Sequence, residues 1–479
     1  MSEVLWTLDA MAAAMGATRA GALPASVFGL SIDSRTVARG EAFFAIAGES
    51  RDGHDFVQAA LAAGAALAVV AADKRVAMPP DAPLLVVPDV LAALVDLARA
   101  ARARSPARVI AVTGSVGKTG TKDALQLVLA REGETHSSAA SYNNQWGVPL
   151  SLARMPESAR FGVFEIGMNH AGEITPLARL VRPHVAIVTT IEPAHLEYFG
   201  SVEAIADAKA EIFIGLEPGG VAVINRDSPH YDRLKAHAKA AGARVVGFGA
   251  HTDADARLIE AAFKADCSTV RADILGADVS YKLGAPGRHV VLNSLAVLAA
   301  AALVGADLAL SALALVALAA PVGRGRRATL AVPGGTAVLI DESYNANPAS
   351  MRAALALLAQ TPVARRGRRI AVLGDMLELG PRAAELHREL VEPVLANAVD
   401  LVFCSGPLMQ ALWQALPSER RGDYAETAAA LEPRVIAAVR ADDAVMVKGS
   451  LGSRMGPIVN ALERRYARHE AGETAPAQG

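Results

Sequence analysis

The sequence predicts an α/β protein of three domains. The chain has 479 residues, room for two to four domains at about 100–200 residues each. Short apolar runs alternate with alanine-rich helical stretches, the pattern of strands joined by crossover helices into mainly parallel sheets. A glycine-rich turn, Gly114–Thr119, joins one such run to a helix. Glycines recur just after later strand ends, where doubly wound sheets keep their ligand-contacting loops.

Residues 1–107 form the first segment. Ala42-Phe43-Phe44-Ala45-Ile46 reads as a strand, Phe56–Ala65 as a helix and Ala66–Ala71 as a strand. The helical stretch Leu91–Arg104 ends in Ser105-Pro106, a linker signal. The second segment, 108–320, opens with the buried strand Val109–Val112, the glycine turn and a helix over Thr121–Arg131. Further strands are expected at Gly162–Ile166, Val185–Thr189 and Val221–Ile224. Leu295–Val322 is long enough to span a membrane. Alanine adds little apolar area there, however, and Asp307 would lie mid-span at a cost of roughly 3 kcal/mol. Two buried helices broken at Gly305-Ala306-Asp307 are expected instead. The third segment, 321–468, repeats the alternation with strands at Ala337–Ile340, Arg369–Leu373, Leu401–Cys404 and Ala444–Val447. Residues 469–479 read as a disordered tail.

Charge and cysteine content narrow the function. With 47 basic and 49 acidic side chains the net charge is −2, and no Lys/Arg run suggests a nucleic-acid partner. Two cysteines, Cys267 and Cys404, cannot build a disulfide framework and read as reduced core residues. Met1-Ser2-Glu3 lacks the basic start of a signal peptide. A cytoplasmic protein without membrane insertion is expected.

The strongest chemical signal is Gly114-Ser115-Val116-Gly117-Lys118-Thr119. Glycines let backbone N–H groups approach phosphate oxygens, and the following helix N-terminus adds positive potential. Lys118 would meet the β/γ-phosphates and the Thr119 hydroxyl Mg2+. The strict P-loop pattern wants a glycine where Val112 stands. Glu165 ends a strand and is followed by Gly167-Met168-Asn169-His170, a fitting place for a Mg2+ carboxylate. His195 follows another strand end; a lone histidine is more often structural than a ligand. Lys209, in the helical run Ala204–Ile214, reads on its own as a solvated lysine. Arg324, in Gly323-Arg324-Gly325-Arg326, could reach a phosphate across an interdomain cleft. Asp341 opens the polar loop Asp341–Pro348, which suits binding.

Together these motifs resemble the Mur ligases, ATP-dependent amide-forming enzymes of peptidoglycan precursor synthesis, from about Ser31 to Met455. Their phosphate loop has the form Thr-Gly-x-x-Gly-Lys-Thr, which accounts for Val112. Four stretches are similar to the branch that adds D-alanyl-D-alanine to UDP-N-acetylmuramoyl-tripeptide: Tyr142–Pro149, Glu165–His170, Asp341–Pro348 and Val372–Gly380. The alternative is the branch that adds a diamino acid to UDP-N-acetylmuramoyl-dipeptide. That branch usually shows Asp-Asn-Pro-Arg in its third domain, whereas Asn345-Ala346-Asn347-Pro348-Ala349 has no arginine.

The resemblance implies a small α/β UDP-sugar domain, a central P-loop ATPase-like parallel-sheet domain and a C-terminal Rossmann-like domain. It implies ATP with two Mg2+ ions, held by Thr119, Glu165, His195 and a carbamylated Lys209. Gly114, Ser115, Val116, Gly117, Lys118 and Thr119 would cradle phosphates, with Arg324 adding charge, Asn293 at adenine and Asp341 at ribose. Lys118, Lys209, His195 and Arg324 would be catalytic. Ser34, Arg35, Gly53, His54, Asp55, Asn144, Asn345, Asn347 and Lys448 would contact the UDP-linked tripeptide or D-alanyl-D-alanine, in an enzyme acting as a monomer. Val116, Gly120, Val290 and Glu342 depart from residues common in the family and bear on the tightness of ATP binding.

Overall fold

The computed structural model describes residues 3–48, 51–139, 142–193, 196–264, 266–319 and 323–467. The expected tail, 469–479, and His195 lie outside the described residues. Three main sheets follow one another along the chain.

The first sheet has five strands in the order Thr18–Ala20, Leu84–Val87, Leu67–Ala71, Glu41–Phe44, Gly29–Ser31. All neighbours are parallel except the Thr18–Ala20 edge. The helix expected over Phe56–Ala65 is shorter. A 3-10 turn, Gly53–Phe56, precedes the α-helix Val57–Ala62 because Asp52 accepts from the His54 N–H and tightens the entry. Helix Val90–Arg104 is capped by Asp89, whose carboxylate accepts from Ala92 N at 2.7 Å. Its buried face joins the first and second regions in one core, with Leu94, Leu97 and Ala101 packed together with Val109, Leu150 and Phe164. Trp6 Nε1 donates to Ala153 O at 2.9 Å and the Arg104 guanidinium covers its ring at 3.5 Å.

The central sheet has nine strands. Arg108–Thr113 lies between Phe161–Glu165 and Val185–Val188, parallel to both. Val221–Asn225 and Arg244–Gly249 extend it in parallel. Thr135–Ser137 forms one edge, parallel to Phe161–Glu165, and Ala256–Phe263, Ser268–Ile274 and Ala277–Leu283, antiparallel among themselves, complete the other; these four strands and Arg244–Gly249 were not expected from the sequence. Ser268–Ile274 alternates buried and more exposed residues, a clean period of two. Leu275 and Gly276, both at positive φ (55° and 92°), close the hairpin. The apolar stretch forms helices Arg288–Leu303 and Leu308–Ala314, with Asp307 capping the second through Leu310 N at 2.8 Å. Among the described residues no helix is long and apolar enough to cross a membrane.

The third sheet runs Arg326–Val332, Gly335–Glu342, Ala444–Lys448, Arg369–Gly374, Leu401–Ser405, Arg421–Ala425, parallel except for its first pair. Both cysteines are buried, as expected.

Candidate active site

The strand Arg108–Thr113 runs straight into the glycine turn, and the helix begins at Lys118, three residues earlier than expected. Gly117, at φ 89°, supplies the left-handed turn into the helix, and a Cβ there would sit 2.5 Å from Asn293 Nδ2. A Cβ on Gly114 would overlap Thr189 Oγ1. The next strand end grips the turn from behind. Ser115 N donates to Thr190 O at 2.8 Å, Ser115 Oγ and the Glu192 backbone exchange two 3.0 Å bonds, and Thr189 Oγ1 donates to Val116 O at 2.6 Å. The backbone N–H groups of Val116, Gly117, Lys118 and Thr119 have no partner among the described residues. Four unpaired N–H groups at the N-terminus of a 12-residue helix form an anion cradle.

A buried carboxylate and three cations lie beside the cradle. Glu165 is buried at the end of its strand; Thr119 Oγ1 donates to its Oε2 at 2.8 Å and Asn143 Nδ2 to its Oε1 at 2.7 Å. Lys118 Nζ donates to Gly114 O at 2.7 Å. Burial pushes the Lys118 ammonium below its ordinary pKa, Glu165 opposes that, and Arg324 lowers it further. Lys209 corrects the solvated reading: it is 2% exposed. Burial and then the nearby Lys118 charge lower its pKa strongly, and its Nζ has no hydrogen-bond or ion-pair partner among the described residues. Arg324 lies over the Tyr344 ring at 4.5 Å. Its loop is tied to Asp341 by Gly323 N to Oδ2 at 3.1 Å and Gly325 N to the backbone oxygen at 2.8 Å.

The structure thus brings Gly114–Thr119, Glu165, Lys209, Asn293 and Arg324 together. Most of the other candidates lie outside this group, in the third and first regions, while Asn144 lies next to Asn143. In the third region Lys448 is buried and donates to Glu342 Oε2 at 3.2 Å and Asn345 O at 2.9 Å. Asn347 caps helix Pro348–Gln360 through Ser350 N at 2.9 Å, and Asn345 Oδ1 accepts from Ala346 N at 2.8 Å. In the first region Arg35 closes on Asp33 at 2.6 Å, holding that carboxyl down to about 2. Ser34 lies in the same turn, and Gly53 allows close approach, since a Cβ would meet Ile46 O at 2.6 Å. Asp55, two residues on from Gly53, is exposed. His54 is buried with both ring nitrogens engaged: Nδ1 pairs with Asp52 at 2.6 Å and Nε2 accepts from Ala71 N at 2.9 Å. It shapes the loop from within. Asn144 is exposed and caps its own turn through Trp146 N and Gly147 N.

Sequence reasoning missed Asn143, Thr189 and Glu192. Nothing local distinguishes Asn143 from Asn144; the strand pairing that brings Glu165 beside Val112 decides it.

The residues fit a divalent cation. A hydroxyl oxygen and a buried carboxylate oxygen 2.8 Å apart beside a phosphate cradle are the hard-oxygen donors that Mg2+ takes together with waters and nucleotide phosphates. Among the described residues no three His, Cys, Asp or Glu side chains cluster as a self-contained cage.

Comparison with known proteins matches each region. Residues 26–104 match the Mur ligase family catalytic domain, 112–301 the Mur ligase middle domain, and 325–451 the Mur ligase glutamate ligase domain. The chain is 35% identical over 438 residues to the UDP-N-acetylmuramoyl-tripeptide–D-alanyl-D-alanine ligase of Escherichia coli, covering 91% of this chain and 93% of that one. It is 31% identical over 432 residues to the enzyme of that name from Rickettsia prowazekii, covering 90% and 94%. MurF from Acinetobacter baumannii has a similar structure, with TM-score 0.82 and 28% identity over 96% of this chain and 99% of that one. MurF from Thermotoga maritima in complex with ADP gives 0.76 and 25%, covering 91% and 97%.

Proposed function

The chain belongs to the Mur ligase family, and from that premise we propose that it joins D-alanyl-D-alanine to UDP-N-acetylmuramoyl-tripeptide at the expense of ATP. The product is the UDP-linked pentapeptide, with ADP and phosphate, in peptidoglycan precursor synthesis. The observation that carries the chemistry is the convergence of Lys118, Lys209 and Arg324 around the phosphate cradle and Glu165. Joining two anions, a carboxylate and a triphosphate, needs concentrated positive charge.

In this reading the tripeptide carboxylate attacks the γ-phosphate, ADP departs, and the dipeptide amine displaces phosphate from the acyl phosphate. The cradle N–H groups and Lys118 hold the phosphates, and Arg324 approaches from the third region. Asn293 and Asp341 lie toward the nucleoside. Thr119 and Glu165 would hold one Mg2+, with His195 and a carbamylated Lys209 toward a second; bound Mg2+ neutralises developing phosphate charge. The neutral amine that burial favours at Lys209 is the form that takes up CO2, turning a cation into a carboxylate. Residues 1–107 would take the UDP-sugar through Ser34, Arg35, Gly53 and Asp55, 108–320 ATP, and 321–468 the dipeptide near Asn345, Asn347 and Lys448. The reading puts the enzyme in the cytoplasm, where ATP is available, and takes it to act as a monomer.

The diamino-acid alternative is not favoured. The relatives that share about a third of their residues with this chain carry the tripeptide–D-alanyl-D-alanine name. The solved diaminopimelate ligase is 19% identical with TM-score 0.50, a likeness of fold alone. The test is phosphate release with ATP and Mg2+ on two substrate pairs. Turnover is expected with UDP-muramoyl-tripeptide plus D-alanyl-D-alanine and none when the dipeptide acceptor is omitted. Turnover only with UDP-muramoyl-dipeptide plus diaminopimelate would overturn the reading.

A further inference from the structure

We propose that Arg352 anchors the terminal carboxylate of the incoming dipeptide and so selects acceptors with a free C-terminus. The inference deepens the ligase reading above and rests on it. Arg352 lies on helix Pro348–Gln360, five residues past its cap Asn347 and just beyond the polar loop Asp341–Pro348. Its side chain is 48% exposed, and its ion pair with Glu389 is loose, Nη2 to Oε2 at 3.6 Å, beyond good hydrogen-bonding distance. Two other cations of this region are committed elsewhere. Lys448 is buried against Glu342 and Asn345 O, and Arg324 lies over Tyr344 and faces Lys118.

The charge of Arg352 is also felt in the central region. Burial raises the carboxyl pKa of Glu192, and the charge of Arg352 opposes that rise more than any other neighbour. Glu192 is the residue whose backbone exchanges two 3.0 Å bonds with Ser115 of the phosphate loop. Nearby the two regions touch: Leu196 packs into both cores, and Glu197 N donates to Glu378 O at 3.3 Å. Arg352 is therefore within charge range of the stretch that backs the phosphate loop, on the side of the third region that meets the central one.

The acceptor's chemistry requires a cation at such a place. The dipeptide must deliver its amine to an acyl carbon beside phosphates while its carboxylate, about 6 Å away, is held off that negative field. A planar guanidinium with unoccupied N–H edges meets a carboxylate bidentately, which a buried, committed lysine cannot do.

The experiment compares D-alanyl-D-alanine with its C-terminal amide as acceptors for the full-length enzyme, Arg352→Ala and Arg352→Lys, each substrate varied in turn with the others saturating. Arg352→Ala is expected to raise KM for D-alanyl-D-alanine about 10- to 100-fold, leave KM for ATP in place and abolish the preference for acid over amide. Arg352→Lys should recover part of that preference. Retained preference in Arg352→Ala, or an equal rise in KM for all three substrates, overturns the proposal while the ligase reading stands. No turnover by the unsubstituted enzyme removes the ligase reading and this inference with it.

Discussion

Asn143 Nδ2 donates to Glu165 Oε1 at 2.7 Å, while the other carboxylate oxygen takes the Thr119 hydroxyl at 2.8 Å. Asn143 thus fixes the plane of the Glu165 carboxylate beside the phosphate cradle. Its backbone oxygen also accepts from Gly167 N at 2.8 Å, so two strand-end loops are pinned together. Partners that orient a metal-binding carboxylate typically contribute 10–100-fold. Asn143→Ala should therefore lower kcat/KM by roughly tenfold or more and raise the Mg2+ concentration for half-maximal phosphate release. Asn144→Ala, at an exposed turn, should leave the Mg2+ requirement in place. Equal effects of the two substitutions would remove the assignment.

Lys209 opposes stability to function. Its folded-state pKa lies below the unfolded value, so the unfolded chain binds the extra proton over the interval between them. Its presence therefore costs stability at neutral pH, and the cost fades as pH rises toward the ordinary lysine pKa. Lys209→Met should stabilise the ligand-free protein at pH 7 by about 1–3 kcal/mol, with the gain shrinking by pH 10. The variant should be nearly inactive. Lys209→Ala should also be nearly inactive, with partial rescue by a small added carboxylate. Denaturant titration at both pH values and phosphate release measure the two effects; full activity without rescue would show that no carbamate is needed.

His184 sets an acid limit. Its Nδ1 accepts from Val109 N at 3.0 Å, at the start of the strand leading to the phosphate loop, and burial with nearby Arg108 and Arg102 lowers its pKa to about 4. The unfolded chain then binds more protons between the ordinary histidine value and about 4, so this stability is lost as pH falls through that window. His184→Asn should flatten unfolding against pH between about 6.5 and 4, read by denaturant midpoints in citrate buffers. An unchanged slope would place the acid sensitivity elsewhere.

What was legible in the sequence was what has a local cause. The glycine turn, the buried strands and the break at Asp307 each follow from a residue's own conformational or capping preference. Lys209 was not legible as a buried group: a lysine in a helical run says nothing of which tertiary face covers it. The hairpin Ser268–Leu283 has a readable period of two, but its turn carries Leu275 at positive φ in place of the usual Asn or Asp, so the turn itself is poorly marked. Asn143 and His54 were hidden differently. Their roles depend on Glu165, Asp52 and Ala71, partners supplied by strand order and loop closure, which spacing does not encode.

Gly120 tests whether a departure from the family pattern has a local purpose. It sits in the first turn of helix Lys118–Leu129, and a Cβ there would meet nothing within 4 Å. Neither close packing nor a left-handed φ requires glycine at this position. Glycine in a helix costs roughly 0.5–1 kcal/mol relative to alanine. Gly120→Ala should slow hydrogen exchange of the first hydrogen-bonded amides of this helix, from Thr121 N onward, about three- to fivefold. A stiffer first turn holds the cradle N–H groups in place, so the ATP KM should fall or stay level. A rise in ATP KM would show that the phosphate loop needs the freedom Gly120 provides, and that the glycine serves binding through flexibility.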